Sequence, residues 1–119
     1  MSDINTLDQK LNDAILAGDI MGAFETYYAD QIVMQENSHE PTVGKDANRD
    51  REQQFVDSIA EFHGAGVLAS SVTGETSFSE WWMDVTFQDG TRKKLEQAVV
   101  RRWQDGQVVN ERFYYDSAG

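Results

Sequence analysis

The sequence predicts an α+β fold with a single domain over residues 1–119, in which two helices, a strand and a third helix precede the long strands of a mixed, mainly antiparallel sheet. Apolar residues recur at helical spacing in the first half of the chain, beginning with Leu7, Leu11, Ala14 and Ile15. After residue 66 the pattern changes to long strand-like runs separated by short polar turns. A chain of 119 residues can build one hydrophobic core and is too short for two domains.

Two helices are expected before residue 30. Gly18 is typical of the position that follows a helix C-terminus, and Asp19 is typical of the N-cap that begins the next helix. The second helix carries its aromatic residues on one side: Phe24, Tyr27 and Tyr28.

A strand and a third helix follow. Residues 31–36 form a predicted strand in which Ile32, Met34 and Glu36 share one face, because successive side chains alternate across a strand. The third helix is expected over residues 46–62, with residues 63–66 ending it.

The C-terminal half predicts four strands, over residues 67–73, 78–88, 93–104 and 107–116. Two Asp-Gly pairs, at 89–90 and 105–106, favour tight hairpin turns, so the last three strands should form a closing β-meander. A two-residue turn at 105–106 would place Trp103 opposite Val108 and Val100 opposite Glu111. These strands exceed the usual five or six residues, which suggests a sheet that curves around something.

Composition excludes several functional classes. A formal net charge of −11 with no long basic stripe argues against nucleic acid as a partner. The absence of cysteine excludes disulfides and thiolate metal sites, and we expect neither a metal nor a cofactor. We expect no membrane association and a cytoplasmic location, because the chain shows no secretory signal pattern and no apolar run near the roughly 20 residues of a membrane span.

Three stretches carry a resemblance to a known family. They are AGDIMGAFETYYADQIVMQEN (17–37), VGKD (43–46) and RRWQDGQVVNERFYYD (101–116), and their order resembles that of the nuclear transport factor 2-like superfamily. Within it, the chain is most similar to the group of SnoaL-like polyketide cyclases and ketosteroid isomerases. The resemblance implies a cone-shaped fold with three N-terminal helices packed on a curved sheet. That fold hosts isomerases, cyclases, dehydratases, hydrolases and binding modules, so it does not fix the function.

The resemblance also implies candidate catalytic residues. The isomerases place a catalytic carboxylate at the end of the first strand, which corresponds to Glu36. Their oxyanion-hole positions fall near Leu11 and near Val99 or Val100, which cannot donate a hydrogen bond, so steroid isomerisation is not expected.

Matching the last strand directs Glu111, Phe113 and Tyr115 toward the cavity. We therefore expect Glu36 and Glu111 as acid/base candidates and Tyr115 as a hydrogen-bond donor. The expected substrate-binding residues are Trp82, Phe113, Met34 and Tyr27. The alternatives are that Glu36 is solvated at its strand end and that Glu111 pairs with Arg102 or Arg112 at the surface.

Two functional hypotheses remain open. In the first, the protein is a cofactor-independent isomerase, cyclase or dehydratase acting by acid/base chemistry on a small hydrophobic carbonyl or polyketide-like compound. In the second, it is a non-catalytic module that binds a small hydrophobic molecule or serves dimerisation. Under either hypothesis we expect a homodimer packed through the sheet, because three helices cannot cover long strands with aromatic residues on both faces.

Overall fold

The computed structural model describes residues 3–116, in three helices and one six-stranded sheet. In chain order the elements are α1 (Ile4–Leu16), α2 (Ile20–Tyr27), β1 (Tyr28–Glu36), β2 (Thr42–Val43), α3 (Lys45–Ser58), β3 (Ile59–Thr73), β4 (Thr76–Phe87), β5 (Arg92–Gln104) and β6 (Gln107–Tyr114). The strand order is β2-β1-β6-β5-β4-β3, and among the adjacent pairs only β1 and β6 are parallel. The predicted α+β fold with a mixed, mainly antiparallel sheet and a closing meander is confirmed.

The start of the chain folds as its capping residues predict. The Asp3 side chain accepts a hydrogen bond from the Asn5 amide at the start of α1, and Asp19 accepts one from the Gly22 amide at the start of α2. Gly18 lies between these helices with a φ of +88°, a conformation that favours glycine. Among residues 3–116, no helix has the length and apolar character needed to cross a membrane.

The third helix is shorter than predicted. It ends at Ser58, and the expectation of a helix to residue 62 is wrong because residues 59–66 belong to β3. Ile59 and Phe62 pair with Phe87 and Val85 of β4, so sheet pairing outweighs their helical spacing. Residues 63–66 therefore do not end a helix.

The terminal hairpin contains a bulge that the sequence did not predict. Asp105 and Gly106 both have positive φ, and Trp103 pairs with Val108 as predicted. The register then shifts, so that Arg101 rather than Val100 lies opposite Glu111. One extra residue in β6, Val109, accounts for the shift, since Arg102 pairs with Asn110. As a result, Val108 and Glu111 both lie on the face of the sheet that carries Trp103 and Arg101.

The core forms where this face meets the helices. Its buried members are Leu11, Ala23, Phe24, Tyr28, Ile32, Met34, Trp103 and Val108. Four of these core residues, Ala23, Phe24, Tyr28 and Met34, also line a cavity.

Candidate functional site

A cavity of about 420 Å³, partly open to solvent, lies between the helices and the sheet. This volume is within the range of small-molecule pockets. Apolar side chains form much of the wall: Ile20, Phe24, Met34, Phe55, Met83 and Phe113. The polar and charged part of the wall includes Glu36, Arg51, Glu52, Gln54, Gln97 and Glu111.

Glu111 lies at the inner side of the cavity and is 1% exposed. Its Oε2 accepts a hydrogen bond from the Tyr28 hydroxyl at 2.6 Å and one from Arg101 Nε at 2.7 Å. The alternative of a surface pair with Arg102 or Arg112 is therefore wrong. The bulge in β6 explains the pairing, because it brings Glu111 opposite Arg101. Both hydrogen bonds use Oε2, which leaves Oε1 as the oxygen available to the cavity.

A buried polar network extends behind Glu111. Arg101 Nη1 donates to Asp8 Oδ1 at 2.9 Å and to Asn12 Oδ1 at 2.6 Å, both on α1. Ser77 Oγ donates to the same Asp8 oxygen at 2.8 Å. Among residues 3–116, every buried side-chain nitrogen and oxygen has a hydrogen-bond partner. The network thus holds α1 against the sheet and fixes the position of Glu111.

Burial and the Glu111 carboxylate raise the pKa of the Tyr28 hydroxyl well above its usual value. Tyr28 therefore stays protonated near neutral pH and acts as a hydrogen-bond donor to Glu111.

Glu52, on α3, is a site residue that the sequence analysis missed. It is partly buried and lines the cavity. Burial, followed by the nearby Glu111 and Glu36 carboxylates, raises its pKa from 4.5 to about 7, and Arg51 opposes the shift. Within residues 3–116 its carboxyl group has no hydrogen-bond or ion-pair partner. Glu52 can therefore gain or lose a proton near neutral pH.

A signal for Glu52 was present in the sequence. It lies three residues before Phe55 and four before Val56, which the helical pattern placed on the apolar side of α3. The buried Asn48 lies one turn earlier on the same side. An acidic residue on the apolar side of a helix indicates a carboxyl directed inward.

Glu36 lies at the rim of the cavity rather than in its interior. Its side chain is 40% exposed, and its Oε2 accepts a hydrogen bond from Arg51 Nη2 at 2.8 Å. The Tyr115 hydroxyl lies beside it, since burial and then the Glu36 carboxylate raise the pKa of Tyr115. Tyr115 itself is not among the described residues that line the cavity.

The predicted substrate-binding residues divide into two groups. Met34 and Phe113 line the cavity together with the predicted acids Glu36 and Glu111. Trp82 lies on the other face of the sheet, where its ring packs against Gly64 and Gly66. Tyr27 is at the end of α2, packed against the core and outside the described lining. The chemical roles of all these residues stay predictions.

The arrangement can support proton transfer within the cavity. It combines Glu111, held in place by Tyr28 and Arg101, with Glu52, which is free to titrate. Among residues 3–116, the His, Asp and Glu side chains form no group of three or more suited to a metal ion.

Comparison with known proteins agrees with the fold. A family model described as SnoaL-like domain matches residues 19–115. A structure from Mesorhizobium loti, provisionally named a SnoaL-like polyketide cyclase, is 28% identical with a TM-score of 0.85, covering 96% of this chain and 100% of that one. Among curated proteins, no match to this chain was found.

Two more distant structures show the fold alone. A nuclear transport factor 2-like protein of unknown function from Burkholderia pseudomallei is 18% identical with a TM-score of 0.79, covering 99% of this chain and 94% of that one. A protein from Catenulispora acidiphila, with a ketosteroid isomerase-like fold and in complex with trimethylamine, is 13% identical with a TM-score of 0.73. That comparison covers 87% of this chain and 81% of the other.

Proposed function

The chain belongs to the SnoaL-like domain family, and from that membership we propose that its cavity binds a small, mainly apolar carbonyl compound and transfers a proton on it without a cofactor. The observation that carries the proposal is Glu52, a carboxyl group inside the cavity with a pKa of about 7 and no ion-pair partner among residues 3–116. A general acid or base works best when its pKa lies near the operating pH. The family includes cyclases and isomerases, which agrees with this chemistry.

Two neighbouring carboxyl groups then take different roles. Arg101 and Tyr28 hold Glu111 by its Oε2, and the negative charge of Glu111 helps to raise the pKa of Glu52. Environments that separate the pKa values of two acids are typical of acid/base sites. Glu52 is therefore the base, and the negative charge of Glu111 keeps the pKa of Glu52 high enough for it to take up a proton.

The proton moves between the substrate carbon and Glu52. The ionised carboxylate removes a proton from the carbon beside the carbonyl, and the electrons of the broken C–H bond pass to the carbonyl oxygen as an enolate. Protonated Glu52 then returns the proton to the same or a neighbouring carbon. The side-chain amides of Gln54 and Gln97 line the cavity and are donors for the enolate oxygen, a role worth about 3 kcal/mol of transition-state stabilisation.

Hydrogen–deuterium exchange tests this proposal without knowledge of the natural substrate. A panel of small cyclic and aryl ketones is incubated with the protein in D₂O, and loss of the proton beside the carbonyl is followed by NMR. Exchange should rise with pH to a plateau above about 7, the pKa of Glu52. Glu52→Gln should slow it at least about 100-fold, the usual contribution of a general base.

The matched control is Glu75→Gln, which removes a carboxylate from an exposed position in the turn between β3 and β4. It should exchange at the wild-type rate. Exchange that is equally fast in wild type and Glu52→Gln would refute Glu52 as the base.

A binding function without catalysis is the second candidate. It is favoured by the hydrogen bonds that Tyr28 and Arg101 already make to Glu111, since these strong donors are then unavailable to a developing oxyanion. Saturable binding of a ketone with no exchange above background, in both wild type and Glu75→Gln, would favour this function over the first.

A further inference from the structure

Among the described residues that line the cavity, acidic side chains outnumber basic ones. Both guanidinium groups near it are already paired: Arg51 Nη2 with Glu36 Oε2 at 2.8 Å, and Arg101 Nε with Glu111 Oε2 at 2.7 Å. Glu52 has no ion pair within residues 3–116. An anionic ligand would therefore compete for guanidinium groups already in use, whereas a cationic ligand would find an unpaired carboxylate.

The network behind the cavity increases this imbalance. Asp8 and Glu111 share a single guanidinium, since Arg101 also donates to Asp8 Oδ1 at 2.9 Å. Two carboxylates thus face one buried cation before Glu52 is counted. These surroundings disfavour the ionised form of Glu52, and a positive charge that arrives with the ligand would offset that cost.

The other elements around Glu52 supply no opposing cation. Helices α1 and α2 contribute to the described lining only apolar residues, and β4 and β5 contribute only Met83 and Gln97. The titratable or charged groups that influence Glu52 are Glu36 and Tyr28 on β1, Arg51 on α3 and Glu111 on β6.

Aromatic rings complete the arrangement. Phe24, Tyr28, Phe55 and Phe113 all line the cavity. Lys45 Nζ already lies 5.9 Å from the centre of the Phe24 ring, which also stacks on Tyr28, so Phe55 and Phe113 are the rings that remain for a ligand. The face of an aromatic ring attracts a cation, most strongly where water is excluded. The same rings accept the apolar part of a ligand, and a volume of about 420 Å³ suits a compact molecule.

We propose that the ligand of this cavity carries a positively charged group, such as a protonated amine, that pairs with Glu52 while its apolar part packs against the surrounding rings. The inference rests on the proposed small-molecule function of the same cavity and names the class of ligand. It also assigns the protonation state of Glu52 in the complex, because a cation beside Glu52 keeps its carboxylate ionised. The opposite arrangement is a neutral ligand that accepts a hydrogen bond from protonated Glu52, and the two arrangements differ in their pH dependence.

Three probes that share one ring separate these arrangements: benzylammonium, benzyl alcohol and benzoate. Their affinities for the full chain are measured by NMR titration at pH 6, 7 and 8, where an alkylamine stays protonated. Since only ionised Glu52 pairs with a cation, benzylammonium should bind about tenfold more tightly at pH 8 than at pH 6. Benzyl alcohol should bind more weakly than benzylammonium at pH 8, and benzoate should bind weakest.

Two variants assign the effect to Glu52. Glu52→Gln keeps the side-chain shape and should lower benzylammonium affinity at least about tenfold at pH 8, abolish its pH dependence, and leave benzyl alcohol within about twofold. Glu75→Gln should match wild type with all three probes, because this residue lies exposed in the turn between β3 and β4.

Several outcomes would overturn the inference. They are failure of benzylammonium to bind, tighter binding of benzyl alcohol or benzoate, tighter binding of benzylammonium at pH 6 than at pH 8, and a wild-type affinity in Glu52→Gln. Ketone exchange that depends on Glu52 without a preference for the cationic probe would overturn this inference and leave the proposed function standing. A preference for the cation that depends on Glu52, with no exchange of any ketone, would overturn proton transfer as the function and leave this inference standing.

Discussion

Glu52 links the cavity to the stability of the fold. Its pKa is about 7 in the folded protein and 4.5 as the ordinary value, so the folded state holds the proton more tightly. The stability associated with that proton is fully present below about pH 4.5 and is lost as the pH rises through about 7. Above that pH the ionised carboxylate costs up to about 3 kcal/mol.

Glu52→Gln should therefore raise the free energy of unfolding by up to about 3 kcal/mol at pH 8 and change it little at pH 4. Urea denaturation of wild type and variant at both pH values measures the difference. Glu75→Gln serves as the control and should show no such dependence on pH. An equal effect of Glu52→Gln at pH 4 and pH 8 would show that the carboxyl is not withdrawn from water.

Arg101 is the second residue on which the site depends. It is the one cation paired with both Glu111 and Asp8 among the described residues, and all three are buried. Arg101→Leu would leave two buried carboxylates without a counter-ion, and we expect it to destabilise the fold by about 3–5 kcal/mol.

Lys10 on α1 provides the control. It is exposed, and Lys10→Leu should change stability by less than about 0.5 kcal/mol. Chemical denaturation at pH 7 compares the two variants. Similar costs for both would contradict the assigned role of Arg101.

The candidate site was only partly predictable at this scale. The period of two placed Met34 and Glu36 on one strand face, and both line the cavity. The family resemblance predicted that Glu111 faces the cavity. Its pairing with Arg101 was not predicted, because it depends on a strand register that the sequence pattern does not determine. Glu52 was not predicted, because polar and charged residues occupy most positions of α3 and its apolar side is only weakly marked.

At the scale of elements, the pairing of β3 with β4 depends on glycine. A Cβ atom built on Gly66 would collide with the Trp82 indole, which lies over it on the same face. Gly66→Ala should therefore destabilise the protein by about 1–3 kcal/mol, as overpacking usually does. In a Trp82→Ala background the same change should be neutral or stabilising by about 0.5–1 kcal/mol, because alanine suits a strand interior better than glycine.

A double-mutant cycle by urea denaturation measures this coupling. The inference fails if Gly66→Ala costs the same with and without the tryptophan. The cycle also tests why residues 63–66 belong to a strand, since the glycines here make room for a ring instead of ending a helix.

Elements were predictable where local conformation decides them. The turn at Asp105-Gly106 followed from the positive φ that both positions require. The end of α3 was not predictable, because Phe55, Ile59 and Phe62 fit a helical period, whereas Ile59 and Phe62 pair with β4 in the structure. The bulge at Val109 also depends on contacts between distant residues, since β6 must match β5 on one side and β1 on the other.

At the scale of the whole molecule, the helices cover one face of the sheet and leave the other face open. Phe78 is 41% exposed and Tyr114 is 44% exposed. Both lie on the open face with Val100, which is directly opposite Phe78. Charged residues of both signs share this face: Glu80, Glu96, Arg102 and Arg112. A symmetric dimer needs a patch that complements itself under a twofold rotation, and a mixture of apolar residues with both charges is compatible with that.

We therefore propose that two copies pack through this face. Size-exclusion chromatography with light scattering should give the mass of two chains at micromolar concentration. Phe78→Glu and Tyr114→Glu should each give the mass of one chain, because each places an unpaired charge at the centre of the contact. Val43→Glu alters a residue that is 69% exposed on β2, at the opposite edge from β3, and should stay dimeric. A monomeric wild type would contradict the proposed dimer. Dissociation by Val43→Glu, with no effect of Phe78→Glu or Tyr114→Glu, would instead place the interface at the β2 edge.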